Sequence, residues 1–494
     1  MEQVMTTINI SAIYPEIILA LFSLIILMLQ SFYHIQFRNY YGYVSLIGVL
    51  SAFAVVLSEP LGFELHFVEY SFNGMWVVDN YSRFFKLIFL VGTLLTILIS
   101  IKYLENEAMQ HGEYFALILF ATIGMMIMAS GAELITIFLG IELMSISLYA
   151  LTGYTRTRII SNQSALKYFL LGSFATGFLL YGIALIYGST GTTNIRGIAT
   201  FLTTPDIKGH GLIVMGMALL LIGFGFKTAL VPFHMWTPDV YEGAPAPITA
   251  FMSAGPKAAA FAAFVRIFMD ALPSLQVEWI SLIWVIAVLT MSVGNIIALV
   301  QDNIKRMLAY SSIAHAGYIL VAFLSAGELG ITGILYYLLA YTFMNIGAFA
   351  LITTLAGKGE QRVTIEDYKG LGYKYPYAAI AMSLFLFSLA GIPPTGGFMG
   401  KFYIFSAAIK EGYIGLTIIG VLNSVVSVYY YLRVTVAMFM HDSKSVKNNE
   451  MPALVFSPSL IVAILISAYG VLSLGIFPSG YIEIVKQSFL VALP

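Results

Sequence analysis

GFGFKTALVPFHMW (residues 223–236) and FSLAGIPPTGGFMGKFYIF (residues 387–405) each interrupt a long apolar run with proline. Pro232 lies near the end of the first run, whereas two prolines and two glycines lie in the middle of the second. A proline removes a backbone donor and clashes with the preceding turn of a helix. Because lipid offers no hydrogen-bond partners, the freed backbone groups need protein or water. The two stretches therefore predict membrane helices that are interrupted inside a packed or hydrated interior.

The composition is that of a polytopic membrane protein. The 494 residues are 59% hydrophobic and 10% charged, with a mean hydropathy of +0.89. A hydrocarbon core of about 30 Å needs roughly 20 apolar residues per helix, and fourteen stretches satisfy this requirement. The expected spans are 8–30, 40–58, 79–101, 112–130, 132–152, 161–187, 211–231, 245–269, 277–299, 305–324, 330–355, 376–408, 414–438 and 455–476. The net charge of −1 argues against nucleic acid as a partner.

The two interrupted spans are the seventh and the twelfth, and their breaks are 161 residues apart. Because five spans, an odd number, separate the two breaks, the segment around the second break crosses the membrane in the opposite direction to the segment around the first. Paired interrupted helices of this kind are typical of inverted repeats in transporters. The predicted fold is all-α: an integral membrane protein of about fourteen transmembrane helices, with two inverted five-helix repeats and discontinuous helices 7 and 12. We expect N-terminal helices in 1–110, a first repeat in 111–270, an inverted repeat in 276–440 and a last helix and tail in 441–494.

The distribution of basic residues predicts the orientation in the membrane. Of the 24 lysines and arginines, five lie inside spans, thirteen fall on one face and six on the other. The larger set marks the cytoplasmic face, so both termini are expected on the non-cytoplasmic side. That arrangement requires an even number of spans, which favours fourteen over thirteen. No cleavable signal is expected, because the first span lacks a basic n-region and a cleavage site.

Four charged residues lie where a span should be apolar: Glu142, Lys227, Lys257 and Lys401. A charge buried in a membrane helix costs roughly 3 kcal/mol or more unless it is paired, hydrated or neutralised. Lys227 precedes Pro232 by five residues, so it can extend to the cytoplasmic face or reach the carbonyls freed by the break. The four positions indicate movement of charge through the membrane. The alternatives are structural ion pairs or, for the glutamate, a protonated acid.

Other polar residues inside spans are weaker candidates. Lys167 and Lys86 each lie near the start of a span, where a lysine side chain can extend to the membrane surface. A lone buried histidine is usually a satisfied core residue, but the charged residues nearby make His315 a candidate relay. His234 and Trp236 follow the first break and are expected to anchor the chain at the membrane interface.

Lysine suits proton transfer for a physical reason. In water its pKa of about 10.4 keeps it protonated at neutral pH. Burial disfavours the charged form, and a nearby carboxylate favours it again. A glutamate–lysine distance that changes can therefore switch a lysine between proton donor and proton acceptor. Glu142 and Lys227 could form such a pair, with Lys257, His315 and Lys401 continuing the path.

Over nearly its whole length the chain resembles the antiporter-like subunit N of respiratory complex I. Three runs carry the resemblance: GIELMSISLYALTGYTRTRIISNQSALKYFLLGSFATGFLLYGIALIYG (140–188), FGFKTALVPFHMWTPDVYEGAPAPITAFMSAGPKAAAFAAF (224–264) and LAGIPPTGGFMGKFYIF (389–405). Within the second run, WTPDVYEGAPAP (236–247) is highly specific. The family has relatives in chloroplasts and in mitochondria. Its fold, fourteen helices with two inverted five-helix units, agrees with the fold predicted from the breaks.

The resemblance implies a role for each candidate. Glu142 resembles the helix 5 glutamate that pairs with a helix 7 lysine, here Lys227. Lys257 resembles the central lysine of helix 8, and Lys401 the helix 12 lysine at the end of the channel. Lys167 resembles a helix 6 lysine that modulates the pair. The sister subunit M carries glutamate where Lys401 stands, and the sister subunit L has a long C-terminal lateral helix, so the N type is favoured.

The expected function is proton translocation by a membrane subunit of a complex I-type NADH-quinone oxidoreductase, driven by quinone reduction elsewhere in the complex. Without cysteine, a P-loop or a dinucleotide fingerprint, the chain is expected to bind no cofactor or metal and to perform no redox chemistry. Flavin and iron–sulfur clusters are then expected in partner subunits.

The expected partners are M- and K-type membrane subunits, the lateral helix of an L-type subunit, the lipid bilayer and protons. The expected location is the cell inner membrane. One alternative is a subunit of a multi-subunit Mrp-type sodium/proton antiporter, which shares the fold. Another is a structural scaffold, which would not need the buried charges.

Overall fold

The computed structural model describes residues 8–32, 40–58, 68–204, 209–325, 327–440 and 454–488, and most of these residues are helical. The helices before the first break are α1 (Tyr14–Phe32), α2 (Tyr40–Ser58), α3 (Asn80–Asn106), α4 (Gly112–Ser130), α5 (Leu134–Thr152), α6 (Ile159–Thr190), α7 (Ile195–Leu202) and α8 (His210–Thr228). The helices between the breaks are α9 (Thr237–Gly243), α10 (Ala246–Arg266), α11 (Gln276–Leu299), α12 (Ile304–Leu324), α13 (Glu328–Leu355), α14 (Leu371–Lys374) and α15 (Pro376–Ala390). The helices after the second break are α16 (Gly396–Lys410), α17 (Ile414–Met440), α18 (Pro458–Ile476) and α19 (Pro478–Gln487). Strands β1 (Val68–Ser71) and β2 (Trp76–Asp79) form a short antiparallel ribbon before α3.

Thirteen helices in the described part of the chain are long and apolar enough to cross a membrane. The remaining expected span, the twelfth at 376–408, is the pair α15 and α16, each of which has 15 residues and is too short to cross alone. The prediction of about fourteen spans with two interrupted ones is therefore confirmed. Four basic residues of the orientation argument lie outside the described residues: Arg38, Lys208, Lys444 and Lys447.

The centre of the molecule is α10, in which every residue is buried. Its alanine-rich second half, Ala258–Ala263, presents small side chains that let neighbouring helices approach closely. Helices α3, α4, α12 and α13 pack around it. Lys257 lies at the middle of this helix, so the fold places a charged side chain as far from water as the architecture allows.

The two ends of α10 are fixed by charged groups. At its start, the Ala246 N–H donates to the Glu360 carboxylate over 2.7 Å. At its end, the Arg266 guanidinium pairs with Asp79 at 2.9 Å and also donates to the Ala129 carbonyl. Since a helix of this length spans about 30 Å, two charged clusters lie at opposite ends of the membrane core.

The repeat is visible in backbone hydrogen bonds that recur with a constant shift. Four N–H groups make the same inter-segment contacts at positions 170 residues apart: Leu134 to Thr193, Ile195 to Ala132, Ile304 to Val363 and Ile365 to Asp302, over 2.8–3.1 Å. The pattern ties the start of α5 to the start of α7 and the start of α12 to a short 3₁₀ turn at Ile365–Tyr368. Of the corresponding residues only Ile195 and Ile365 are identical, so the repeat is clearer in the backbone than in the sequence.

Both interrupted helices end in the same way. The last turns of α8 and α15 close through left-handed residues, Ala229 with φ 61° and Gly391 with φ 86°. The backbone bonds at the two ends correspond with a shift of 162 residues: Leu230 N–H to the Gly225 carbonyl and Ile392 N–H to the Phe387 carbonyl. Pro232 thus corresponds to Pro394. The predicted discontinuous helices are confirmed.

Candidate functional site

Lys227 lies in the last turn of α8, directly before the first break. Its side chain is buried, and the ammonium donates to the Ser145 hydroxyl of α5 over 2.7 Å. The Tyr149 ring lies 5.8 Å from the same ammonium. Lys227 therefore extends into the protein, and the alternative in which it reaches the cytoplasmic face is wrong.

The carbonyl that the first break frees is satisfied by Trp236. Its indole N–H donates to the Phe226 carbonyl over 2.9 Å, and its ring stacks on Tyr168 at 4.6 Å. Trp236 and His234 are both buried. The prediction that they anchor the chain at the membrane interface is wrong, because the chain after the break folds back into the core. The Lys227 side chain is therefore not needed to donate a hydrogen bond to the Phe226 carbonyl.

Glu142 lies on α5, one turn before Ser145. It does not form a direct ion pair with Lys227, which instead contacts the serine. The Glu142 Oε1 atom is buried and has no hydrogen-bond partner among the described residues. An unpartnered buried carboxylate oxygen is costly, so this oxygen is available to accept a hydrogen bond. The Lys227–Ser145 hydrogen bond joins α8 to α5, and the Glu142 and Lys227 side chains do not contact each other directly.

Lys257 contacts only neutral oxygens among the described groups. Its ammonium donates to the Ser312 carbonyl over 2.6 Å and to the Ser312 hydroxyl over 3.0 Å. Ser312 lies on α12, one turn before His315. The central lysine of the first repeat thus reaches across to the helix that carries the candidate histidine of the second repeat.

Lys401 lies on α16, after the second break, and caps the end of α15. Its ammonium donates to the Leu389 and Ala390 carbonyls, each over 3.0 Å, and to the Ser424 hydroxyl over 2.9 Å. A cation is favourable at the carbonyl end of a helix. Gly391 leaves space for this side chain, since an added Cβ there would lie 3.0 Å from the lysine Cδ. In the second repeat a lysine caps the broken helix, as Trp236 does in the first.

Lys167 is not joined to the other candidates. It forms an ion pair with Asp239 of α9, and 45% of its side chain is exposed. Asp239 also accepts from Arg306 of α12 over 2.8 Å, and Arg306 pairs with Glu242 at 2.7 Å. In this structure Lys167 links α6 to the segment after the first break, and it does not contact Glu142 or Lys227.

Two kinds of buried lysine can be distinguished. Lys86 pairs with Glu16 at 2.7 Å, and Lys305 pairs with Glu360 at 2.8 Å. These two lysines have a carboxylate and are structural ion pairs. The three on the axis, Lys227, Lys257 and Lys401, are hydrogen-bonded to serine hydroxyls and backbone carbonyls instead.

The sequence did not predict the buried cluster of polar side chains around Glu360, which contains Lys305, Arg158 and Tyr103. The Glu360 carboxylate is fully buried, forms an ion pair with Arg158 at 3.3 Å and accepts from the Tyr103 hydroxyl at 2.8 Å. A single acid in a polar loop (GKGEQR, 357–362) gives no signal that it will be buried. Burial raises the pKa of Glu360, but Lys305 and Arg158 outweigh this effect and hold the pKa below its ordinary value.

Glu360→Gln is expected to lower stability, because it leaves Lys305 buried without its charge partner. Breaking such a pair costs about 3–5 kcal/mol. The folded-state pKa of Glu360 is lower than its unfolded-state pKa of about 4.3. The ionised carboxylate therefore stabilises the fold fully above the unfolded-state pKa, and this stabilisation is lost as the pH falls through the folded-state pKa. The measurement is the apparent unfolding temperature of the purified protein in detergent at pH 7 and near pH 4. Glu366→Gln, in an exposed pair with Lys369, is the control and should have little effect. Equal unfolding temperatures for the two variants would contradict the assignment.

The family model described as NADH:quinone oxidoreductase/Mrp antiporter, TM, matches residues 131–427. This range contains both breaks and the residues Glu142, Lys167, Lys227, Lys257, His315 and Lys401. The chain therefore belongs to this family of membrane proteins.

Within the family, the chain is similar to N subunits. It is 52% identical over 487 residues to a protein named NADH-quinone oxidoreductase subunit N from Trichlorobacter lovleyi, covering 98% of each chain. A chain of respiratory complex I from Thermus thermophilus, solved with bound aureothin, is 34% identical with a TM-score of 0.79, covering 96% of this chain and 99% of that one. A chain of the Mrp complex from a Dietzia species has a TM-score of 0.85 at 21% identity, covering 97% of each, and shares the fold.

Proposed function

We propose that the chain is the proton-translocating, antiporter-like N subunit of a complex I-type NADH-quinone oxidoreductase. Protons move along Glu142, Lys227, Lys257, His315 and Lys401, and Lys167 modulates the first pair by exchanging its partner Asp239. Quinone reduction elsewhere in the complex drives the movement, and flavin and iron–sulfur clusters are held by partner subunits. This chain performs no redox chemistry of its own.

The observation that carries the proposal is the contrast between the axis lysines and the structural ones. An amine buried among neutral oxygens loses the stabilisation that a carboxylate gives to its charged form. Lys257 and Lys401 are in this position, whereas Lys86 has Glu16. A group that is to bind and release a proton must not be held permanently in one state. A structural scaffold would have no use for three such lysines.

The Glu142 oxygen without a hydrogen-bond partner offers Lys227 a second contact, and the exchange between the two contacts is the proposed switch. When Lys227 turns from Ser145 to Glu142, its charged form is stabilised, and when it turns back, its proton is released more easily. The structure holds the Ser145 contact at 2.7 Å. In the proposed switch, this contact belongs to the separated state of the pair, from which a proton passes toward Lys257.

The proposal extends to the divisions of the chain and its orientation. Residues 111–270 and 276–440 form the two inverted units, and both termini lie on the non-cytoplasmic side of the cell inner membrane. Support comes from the basic residues: Arg158 and Lys305 meet at one end of α10, and Arg266 lies at the other. These ends are the proposed cytoplasmic and non-cytoplasmic faces. M- and K-type subunits are the proposed neighbours, with the lateral helix of an L-type subunit alongside.

The experiment that tests the assembly is purification of the tagged chain from its native membranes. We expect it to carry partner subunits with flavin, iron and NADH-quinone reductase activity. Membranes from an untagged strain, taken through the same column, are the control. Co-purification with other antiporter subunits alone, and no flavin or iron, would favour the Mrp-type alternative and contradict the proposal.

A further inference from the structure

His315 lies between two tyrosine hydroxyls. Its Nε2 atom hydrogen-bonds the Tyr431 hydroxyl of α17 over 3.0 Å, and its Nδ1 atom hydrogen-bonds the Tyr337 hydroxyl of α13. The histidine and both tyrosines are buried. An imidazole that contacts a hydroxyl at each nitrogen can accept a proton at one and release it from the other.

Tyr431 leads toward the Lys257 side of the axis. Its hydroxyl also hydrogen-bonds the Ser311 hydroxyl of α12. Ser311 directly precedes Ser312, which holds the Lys257 ammonium through its own hydroxyl over 3.0 Å. Tyr431 thus joins Ser311, the neighbour of the serine that contacts Lys257, to the histidine one turn later.

Tyr337 leads toward the Lys401 side. Its ring packs directly on Gly400, where an added Cβ would lie 2.5 Å from the ring Cδ2 atom. Gly400 immediately precedes Lys401 on α16. The two hydroxyls on His315 thus lie beside different parts of the axis: Tyr431 bonds the α12 position next to Ser312, and Tyr337 packs against the α16 position next to Lys401.

We infer that the hydroxyls of Tyr431 and Tyr337 are proton-carrying groups that complete the relay through His315. The inference rests on the proposed function and adds two residues to it. The Tyr431 hydroxyl gives its proton to Nε2 as its oxygen receives one from the Ser311 side. Nδ1 gives its proton to the Tyr337 oxygen as that hydroxyl releases one toward Lys401. One proton enters and one leaves, so no charge stays on the ring.

The transfer leaves His315 protonated on Nε2 and turns both hydroxyls. The next proton in the same direction can pass only after both hydroxyls rotate back and the imidazole ring turns, so that an unprotonated nitrogen faces Tyr431 again. A return of the ring proton through the same hydroxyls would reverse the first transfer. The relay therefore carries one proton for each turn of the ring.

Tyr336 provides a matched control. It precedes Tyr337 on α13 and is equally buried, but its hydroxyl donates to the Leu474 carbonyl and does not contact His315. The test compares Tyr431→Phe, Tyr337→Phe and Tyr336→Phe in the assembled complex, with Lys227→Ala as a reference. The measurements are complex content in membranes, proton pumping in proteoliposomes and the solvent isotope effect on pumping in D₂O.

We expect Tyr431→Phe and Tyr337→Phe to slow pumping by at least about tenfold, the lower part of the range for lost proton transfer, with a changed isotope effect. Tyr336→Phe should pump as the wild type does. Normal pumping by Tyr431→Phe beside an inactive Lys227→Ala would overturn the relay and leave the proposed function standing. Equal losses in all three tyrosine variants, or failure of Tyr431→Phe to assemble, would show a packing role and also overturn it. Normal pumping by Lys227→Ala would refute the proposed function itself.

Discussion

Lys227→Ala is expected to abolish proton pumping while the complex still assembles. The lysine donates to Ser145, which lies one helical turn after Glu142 and its unpartnered oxygen. Alanine removes the group that binds and releases the proton. Removing its amine costs the fold little, because the serine loses one hydrogen bond, worth about 1 kcal/mol, and a buried charge disappears.

The matched control is Lys410→Ala. Lys410 also lies in the last turn of a helix, α16, but it is exposed. It should leave pumping and assembly unchanged. The measurements are complex content in membranes and the proton gradient formed during NADH oxidation with quinone as the acceptor. Full pumping by an assembled Lys227→Ala complex would remove the lysine from the path.

The fold could be predicted from sequence because lipid imposes strict rules on the backbone. The length of each apolar run and the two proline breaks are enough to define the spans and their interruption. The twelfth span at 376–408 was identifiable as broken, and α15 and α16 confirm it. The offset of 161 between breaks differs by one from the structural shift of 162, because sequence alone does not say which proline of the pair Pro393–Pro394 corresponds to Pro232.

The site could be predicted only in part, and the reason is the type of residue. A charge inside an apolar run is conspicuous, so Glu142, Lys257 and Lys401 are found at once. Serines and tyrosines inside helices are common, and nothing in their spacing distinguishes Ser145 or Tyr431 from core residues. Their roles follow from contacts between helices far apart in sequence, which a single sequence does not encode in a readable pattern.

The sequence also did not predict which residues pair with each other in the structure. Depth in a span can be estimated from sequence, but which carboxylate a lysine meets cannot. Lys86 and Lys167 both lie near the start of a span, yet Lys86 is buried against Glu16 and Lys167 is half-exposed beside Asp239. Trp236 shows the same difficulty, because its position after a break fits an interface and the structure uses it as a buried cap.

Lys401→Arg is expected to assemble normally and to pump poorly. Arginine keeps the positive charge and the donors that the Leu389 and Ala390 carbonyls need, but it cannot release its proton at working pH. Lys401→Ala is a less informative change, because two buried carbonyls would lose their donor at a cost of about 1–3 kcal/mol each. It should impair assembly as well as pumping.

Lys86→Arg is the control for the change of side chain. Lys86 is equally buried but pairs with Glu16, so a permanent positive charge suits its role. We expect near-normal pumping from this variant. A loss of pumping in both arginine variants would indicate that the larger side chain, and not its fixed charge, is responsible.

The central claim is that the buried lysines without carboxylate partners bind and release protons. Its most direct test is the number of protons pumped per electron by assembled Lys401→Arg complex in proteoliposomes, measured beside Lys86→Arg. The account predicts a clear loss for Lys401→Arg and a normal ratio for Lys86→Arg. A normal ratio for Lys401→Arg would contradict it, because a residue that never gives up its proton would then be sufficient.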